Sequence, residues 1–363
     1  MQNIPENMKA VVAYAPGDYR YETVPVPHAG KGEVVIQVEA CGICAGDLKA
    51  FHGGERFWGG NGTPGYIVPP MIPGHEFIGH VVEIGEGFHG ISGLSIGDRV
   101  ISEQIVPCGK CRFCKNGQYW MCQIHDVYGF KSYLNGGFAE YMKFPEGALI
   151  HRVPEEIPLE AAILIEPYAC SMHAVERADI QQGDIVVISG AGPLGLGMVA
   201  AARLKKPGKL IVLDLYEVRL AQAMKLGCDM ALNPTKVDVQ AVVAELTEGY
   251  GCDIYIEATG HPASVPQGLQ MVRKLGKFIE FSVFNDKVTC DWGVIGDGKE
   301  LDILGVSLSP FCYPPVIQGI QDGLLKTEGV VTHQYPLSRF MEAFETCSKG
   351  VDSLKVVLIP GET

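Results

Sequence analysis

Apolar residues recur along this chain with two different rhythms. Over the first 150 residues they come in short Val- and Ile-rich runs, at 9–13, 33–39, 80–84 and 99–102, separated by turn pairs such as Pro16-Gly17, Gly59-Gly60 and Gly97-Asp98. Short runs between Gly and Pro punctuation predict an irregular β-rich domain. From about Glu155 the rhythm changes. Apolar runs at 185–189, 210–214, 254–257 and 277–282 predict strands, and the stretches 194–205 and 217–226 between them predict helices. Strands alternating with helices signal a parallel sheet with crossover helices, so the second region is expected to be an α/β domain. Beyond about Val294 the alternation weakens, and 354–359 reads as a strand again.

A chain of 363 residues is long enough for two cores. Its formal net charge of -13 repels polyanions, which argues against nucleic acid or an anionic membrane surface as partner and favours a small neutral or cationic substrate. Residues 1–14 show no basic segment followed by an apolar run. No apolar stretch approaches the roughly 20 residues that span a bilayer, so a soluble cytoplasmic protein is expected. In that compartment clustered cysteines point to metal rather than disulfides.

The first such cluster is Cys108, Cys111, Cys114 and Cys122, with Pro107, Gly109 and Gly117 as bend points. Four thiolates in one short loop suit a closed tetrahedral zinc site, with an iron–sulfur cluster as the other occupant such ligands accept. A closed site has no position for substrate, so its role is expected to be structural. The remaining cysteines, Cys41 to Cys347, are scattered and read as small buried side chains, Cys44 excepted.

Gly190, Gly192 and Gly195 form G-x-G-x-x-G directly after the 185–189 run, with Pro193 and Leu194 opening the helix. Gly190 is expected to make the tight turn, Gly192 to let a pyrophosphate approach the backbone, and Gly195 to let helix pack on strand. The free N–H groups of the helix then face the phosphates. Asp214 ends the next strand, about 20 residues on, where a carboxylate accepts hydrogen bonds from the adenosine ribose. It argues for NAD, since it would repel a 2′-phosphate; Arg219 is the counter-signal.

Cys44, His75 and Glu166 are far apart in sequence but are a thiolate, an imidazole and a carboxylate, which leave a fourth position open in a catalytic zinc site. Taken singly each has an ordinary explanation, and spacing alone leaves Cys41 and Cys44 undecided. Together, Gly42-x-x-Cys44-x-x-Asp47, Gly74-His75-Glu76, the four-cysteine loop, Gly136-Gly137-Phe138-Ala139-Glu140-Tyr141, Glu166-Pro167 and the glycine turn occur in an order that resembles the zinc-containing medium-chain dehydrogenases. The similarity runs from about Lys9 to Pro360.

The resemblance implies a GroES-like β-rich catalytic domain over 1–156, a Rossmann NAD-binding domain over 157–296, and return to the catalytic domain over 297–363. It implies one catalytic and one structural zinc per chain, the catalytic one bound by Cys44 and His75 with Glu166, Glu76 beside the metal, Asp47 orienting His75, and Cys41 not a ligand. Glu166, where classical alcohol dehydrogenases carry cysteine, resembles the sorbitol and threonine dehydrogenase branch. The implied reaction is NAD-dependent oxidation of a secondary alcohol of a polyol, with four-carbon polyols favoured by a weaker likeness and a dimer or tetramer as the assembly. L-threonine or a vicinal diol is the alternative substrate, and a zinc-stabilised nucleotide-binding structural or sensor protein the alternative class.

The chain departs from the family at two positions. Gly46 stands where a Ser or Thr hydroxyl relays the alcohol proton, and Lys49 where a histidine often follows. The expected route is therefore through water and Glu166 or Glu76, with Lys49 or His52 near the exit. The stretch 53–70 is longer than the family leads one to expect, and its Glu55, Arg56, Trp58 and Tyr66 are candidate wall residues.

Overall fold

The computed structural model describes residues 4–60, 62 and 64–361, so Asn61 and Thr63 of the long loop lie outside the described residues. The chain divides into two compact units: Met1–Glu166 with Tyr313–Gln321 and Val331–Thr363, and Pro167–Cys312 with Asp322–Val330. Set beside the expected bounds, residues 157–166 fall in the first unit, while 297–312 and 322–330 fall in the second.

The first unit is built on a seven-stranded sheet. Its path runs Val331–Pro336, Lys355–Ile359, Val34–Gly42, Glu76–Ile84, Arg99–Ser102 and Ile150–Arg152, with Tyr141–Phe144 also paired to Val34–Gly42. The strand Val34–Gly42 is the hub. It pairs antiparallel with Glu76–Ile84 along most of its length, and its end meets the last strand at Val357↔Gly42 and Leu358↔Cys41. A separate hairpin pairs Asn7–Ala15 with Asp18–Pro25. Phe77, Tyr128 and Phe144 pack as a core cluster, Phe77 lying 5.1 Å from Tyr128 and 5.5 Å from Phe144 between ring centroids.

The second unit holds a six-stranded parallel sheet in the order Met230–Leu232, Lys209–Leu213, Ile185–Ser189, Cys252–Glu257, Val272–Glu280, Asp302–Gly305. Val186, Val187, Ile188, Leu210, Ile211 and Val212 are all fully buried. Continuous apolar runs of this kind are what a parallel sheet covered on both faces requires, and they explain why the region reads so clearly in sequence. The strand order places the reversal of direction beside Ile185–Ser189, where doubly wound sheets bind ligands. The helices Pro193–Leu204 and Glu217–Leu226 lie where the sequence pattern puts them, within a residue at their ends. The strand read at 277–282 is longer and shifted, Val272–Glu280. Among the described residues no helix is long and apolar enough to cross a membrane.

Candidate active site

Cys44 is the N-cap of the short helix Ala45–Phe51. Asp47, one turn into that helix, accepts the Cys44 backbone N–H on Oδ2 at 2.9 Å. Its other oxygen, Oδ1, lies 3.6 Å from His75 Nδ1, a buried nitrogen with no hydrogen-bond partner of its own. One carboxylate thus faces the two residues expected to bind metal, and Nε2 is left as the imidazole nitrogen for a cation. His75 follows Gly74, whose φ of +93° suits glycine, and a Cβ there would press on Phe138 and Cys41. Cys41 itself is fully buried, and burial drives its thiol well above the ordinary range.

Cys44, His75 and Glu76 bring one donor atom each within 4.8 Å of one another. Glu166 stands outside that group: its Oε1 accepts a 2.7 Å hydrogen bond from Gln104 Nε2. Both carboxylates are nearly inaccessible, Glu76 at 3% and Glu166 at 4% exposure. Burial alone would depress the His75 pKa, but the neighbouring Asp47 and Cys44 overcome it and hold the imidazole well above its ordinary range. Asp47 is pushed upward by burial against the opposing pull of His75. A pocket of buried anionic donors that captures a proton on its imidazole is chemically a site for a cation, and a metal would compete for the same lone pair. The donor set fits zinc.

Sequence reasoning missed Lys355. This lysine is 2% exposed, and its Nζ pairs with Glu76 Oε2 and donates to the Ile43 carbonyl at 3.1 Å. Burial opposes its charge, yet Glu76 and Cys44 keep it firmly protonated. Gly42 makes the pair possible, because a Cβ there would collide with the same Glu76 oxygen. A lysine leading the apolar run Val356-Val357-Leu358 reads as a strand end facing water; only the pairing of that strand with Val34–Gly42 reveals its burial.

In the long loop, Trp58 Nε1 donates to the Ala50 carbonyl at 2.7 Å and Tyr66 Oη to the His125 carbonyl at 2.6 Å. Those two candidate wall residues tie the loop down, and Glu55 and Arg56 lie in the exposed turn Glu55–Trp58. The ring next to the imidazole is Phe130, which stacks on His75 at 5.7 Å and on Phe57 at 5.6 Å. At Gly46 a Cβ would lie 3.8 Å from Cys44 Sγ and 4.0 Å from Phe57 Cζ, so a side chain has room there. Lys49 is half-buried on the last turn of that helix and His52 is exposed.

The four-cysteine loop is built differently. All four sulfurs lie within 4.8 Å of one another, and Cys111 and Cys114 are 3.5 Å apart, close to the ~3.8 Å edge of a tetrahedron with ~2.3 Å metal–sulfur bonds. Backbone N–H groups point at the sulfurs: Cys108 N at Cys122, Cys111 N at Cys108, and both Cys114 N and Gln123 N at Cys111, all between 3.3 and 3.5 Å. Those bonds bring the Cys111 thiol down to about 6, while burial pushes Cys114 up to about 12.

In the second unit the glycine turn has the steric logic its spacing predicts. Gly190 has φ +108° and a Cβ there would strike the Ala258 carbonyl oxygen at 2.8 Å; one at Gly195 would overlap the Gly190 carbonyl oxygen. Beside Gly192 there is open space. Gly192 N-caps the helix that Pro193 and Leu194 open. Asp214 accepts from Ala191 N at 2.8 Å on Oδ2 and from Tyr216 N at 2.9 Å on Oδ1. Arg219 Nη1 is 3.8 Å from Asp214 Oδ2, and its guanidinium covers the Tyr216 ring at 4.8 Å.

Residues 30–155 match the alcohol dehydrogenase GroES-like domain and 193–321 the zinc-binding dehydrogenase family. The erythritol/L-threitol dehydrogenase of Mycolicibacterium smegmatis is 49% identical, with 98% of this chain and 99% of that protein covered. The L-threonine 3-dehydrogenase of Pyrococcus horikoshii is 36% identical over 95% of this chain and 97% of its own. An alcohol dehydrogenase from Escherichia coli, solved with NADH, is 26% identical with a TM-score of 0.86 over 98% of this chain and 100% of its own. With both family models in order and this identity along its length, the chain belongs to the zinc-containing medium-chain dehydrogenases.

Proposed function

We propose that this chain is an NAD- and zinc-dependent dehydrogenase that oxidises a secondary alcohol of a four-carbon polyol, erythritol or threitol, to the ketose. The observation that carries the reading is the convergence of Cys44, His75 and Glu76 within 4.8 Å in a chain 49% identical, end to end, to an erythritol/L-threitol dehydrogenase. When bound, zinc supplies the Lewis acidity that makes an alcohol more acidic, and NAD supplies the hydride acceptor.

The residues of the chain do the positioning. Cys44 and His75 hold the metal, Asp47 fixes them both, and Glu166 and Glu76 provide carboxylates at its border. Gly46 has no hydroxyl to accept a proton, so these two carboxylates are the acceptors for the alcohol proton on its way to water, with Lys49 and His52 toward the exit. The four-cysteine loop holds the second, structural zinc. Gly190, Gly192 and Gly195 cradle the pyrophosphate with Pro193 and Leu194 behind them, Asp214 selects the unphosphorylated ribose, and Arg219 braces Asp214.

The test follows NADH formation by zinc-loaded protein with erythritol, D- and L-threitol, sorbitol, xylitol, 2,3-butanediol and L-threonine. Metal-dependent turnover led by erythritol or threitol is expected. L-threonine leading would move the enzyme to the amino-acid branch, and no turnover with any of them would sink the reading.

The same reading places the enzyme in the cytoplasm as a homodimer or homotetramer. Supporting assembly, Asp302–Gly305 is the outer strand of the six-stranded sheet, with Ile303 at 38% exposure, and such an edge is a template for a second copy. Light scattering that gives a monomer mass would overturn it.

A further inference from the structure

Gln104 is 2% exposed and follows the strand Arg99–Ser102 by two residues. Its amide is held at both ends. Nε2 donates to Glu166 Oε1 at 2.7 Å, and Oε1 accepts from Tyr313 Oη at 3.2 Å. Reversing the amide would set oxygen against a carboxylate oxygen, so the hydrogen-bond pattern permits one orientation. Tyr313 is itself fully buried, and its ring stacks on His151 at 5.3 Å with 20° between planes. His151 Nε2 lies 3.2 Å from Glu103 Oε1, and Glu103 Oε2 accepts from Tyr119 Oη at 2.8 Å. Tyr119 stands inside the four-cysteine loop, where its carbonyl accepts the Cys122 N–H at 3.0 Å.

We propose that Gln104 is the positioning residue of the candidate zinc site: by holding Glu166 Oε1 it fixes the rotation of that carboxylate relative to Cys44 and His75. This rests on the zinc-dehydrogenase reading given above. Glu166 is the site carboxylate not clustered within 4.8 Å of the other donors, so it is the one whose approach to the metal depends on what orients it. The Gln104 amide is neutral and therefore sets the carboxylate's direction without neutralising its charge, unlike Lys355 at Glu76. Because Glu103 and Gln104 are consecutive, the same backbone that orients Glu166 is braced by the four-cysteine loop through Tyr119.

The test uses the full-length protein loaded with two zinc ions, and the cobalt(II)-substituted form. Zinc release to a chromophoric chelator is followed in wild type, Gln104→Leu and Tyr313→Phe, reading the phase that Cys44→Ser abolishes. Outer partners of metal ligands typically control affinity by about 10- to 100-fold, so Gln104→Leu should release that zinc at least about tenfold faster and change the cobalt d–d spectrum. The KM for NAD should stay at the wild-type value while kcat falls. Tyr313→Phe keeps the amide but frees its far end, so the same changes should appear at about two- to threefold, and this variant decides the matter if Gln104→Leu fails to fold. Wild-type release rates and an unchanged cobalt spectrum in a folded variant would overturn the positioning role while leaving the dehydrogenase reading intact. A wild-type protein that binds zinc only at the four-cysteine loop would overturn both.

Discussion

The two candidate metal clusters are assembled on opposite principles. The four-cysteine loop gathers its ligands from residues 108–122, on a half-exposed loop whose own backbone N–H groups point at the sulfurs. The Cys44 site takes ligands from a helix N-cap and a strand start, buries its carboxylates, and needs Lys355, 279 residues further along the chain, to neutralise Glu76. The first is a local motif supported by its own backbone. The second exists only when the sheet is complete. Loss of a ligand should therefore damage different properties in the two places.

Cys44→Ser is expected to give the largest catalytic effect, lowering turnover by more than the ~100-fold upper range for removing an outer partner of a metal ligand, with the fold retained by circular dichroism. Cys111→Ser should show the reverse, loss of folded or assembled protein before loss of chemistry per folded molecule. A stable but inactive Cys111→Ser would break the comparison.

Lys355→Met leaves Glu76 buried without its cation, and denaturant unfolding of the full chain should show a loss of about 3–5 kcal/mol. A loss under about 1 kcal/mol would mean that Glu76 finds water or a proton instead. Asp214→Ala should weaken NAD by about 10- to 100-fold through the lost charged hydrogen bonds, and NADP much less; equal losses would sink the selectivity assignment.

The thiols themselves sharpen the contrast. In metal-stripped protein at pH 7, Cys111, with a pKa of about 6, is mostly thiolate and Cys114, at about 12, is not. Iodoacetamide mapped by mass spectrometry should label Cys111 first, slow as pH falls below about 6, and be blocked by zinc. Preferential labelling of Cys114 would reverse the assignment. The smallest effect is expected for Gly46→Ser, which meets only ordinary van der Waals neighbours and should keep kcat within about twofold, roughly 0.4 kcal/mol. A large acceleration with an unchanged pH profile would show that a hydroxyl relay outcompetes the carboxylate route.

These same differences decide what was legible in the sequence. The four-cysteine loop and the glycine turn are contiguous, and their spacing carries their geometry. The parallel sheet was legible because strands buried on both faces leave unbroken apolar runs. The helix Ile165–Ala178 was not, because residues 161–175 are buried without a break and Pro167 stands in its first turn, where proline also reads as a chain break. Lys355, Gln104, Tyr313, Phe57 and Phe130 were missed for another reason: each acts through a neighbour distant in sequence, and none belongs to a residue type that spacing marks as a ligand.

The pairing of Lys355 with Glu76 also sets an order of events in synthesis. As the chain leaves the ribosome, the four-cysteine loop can close around metal once Cys122 has emerged. Glu76 stays without its counter-charge until Lys355 follows. The four-cysteine cluster is thus complete while the rest of the chain is still to come, whereas the surroundings of Cys44, His75 and Glu76 are complete only once the sheet has closed.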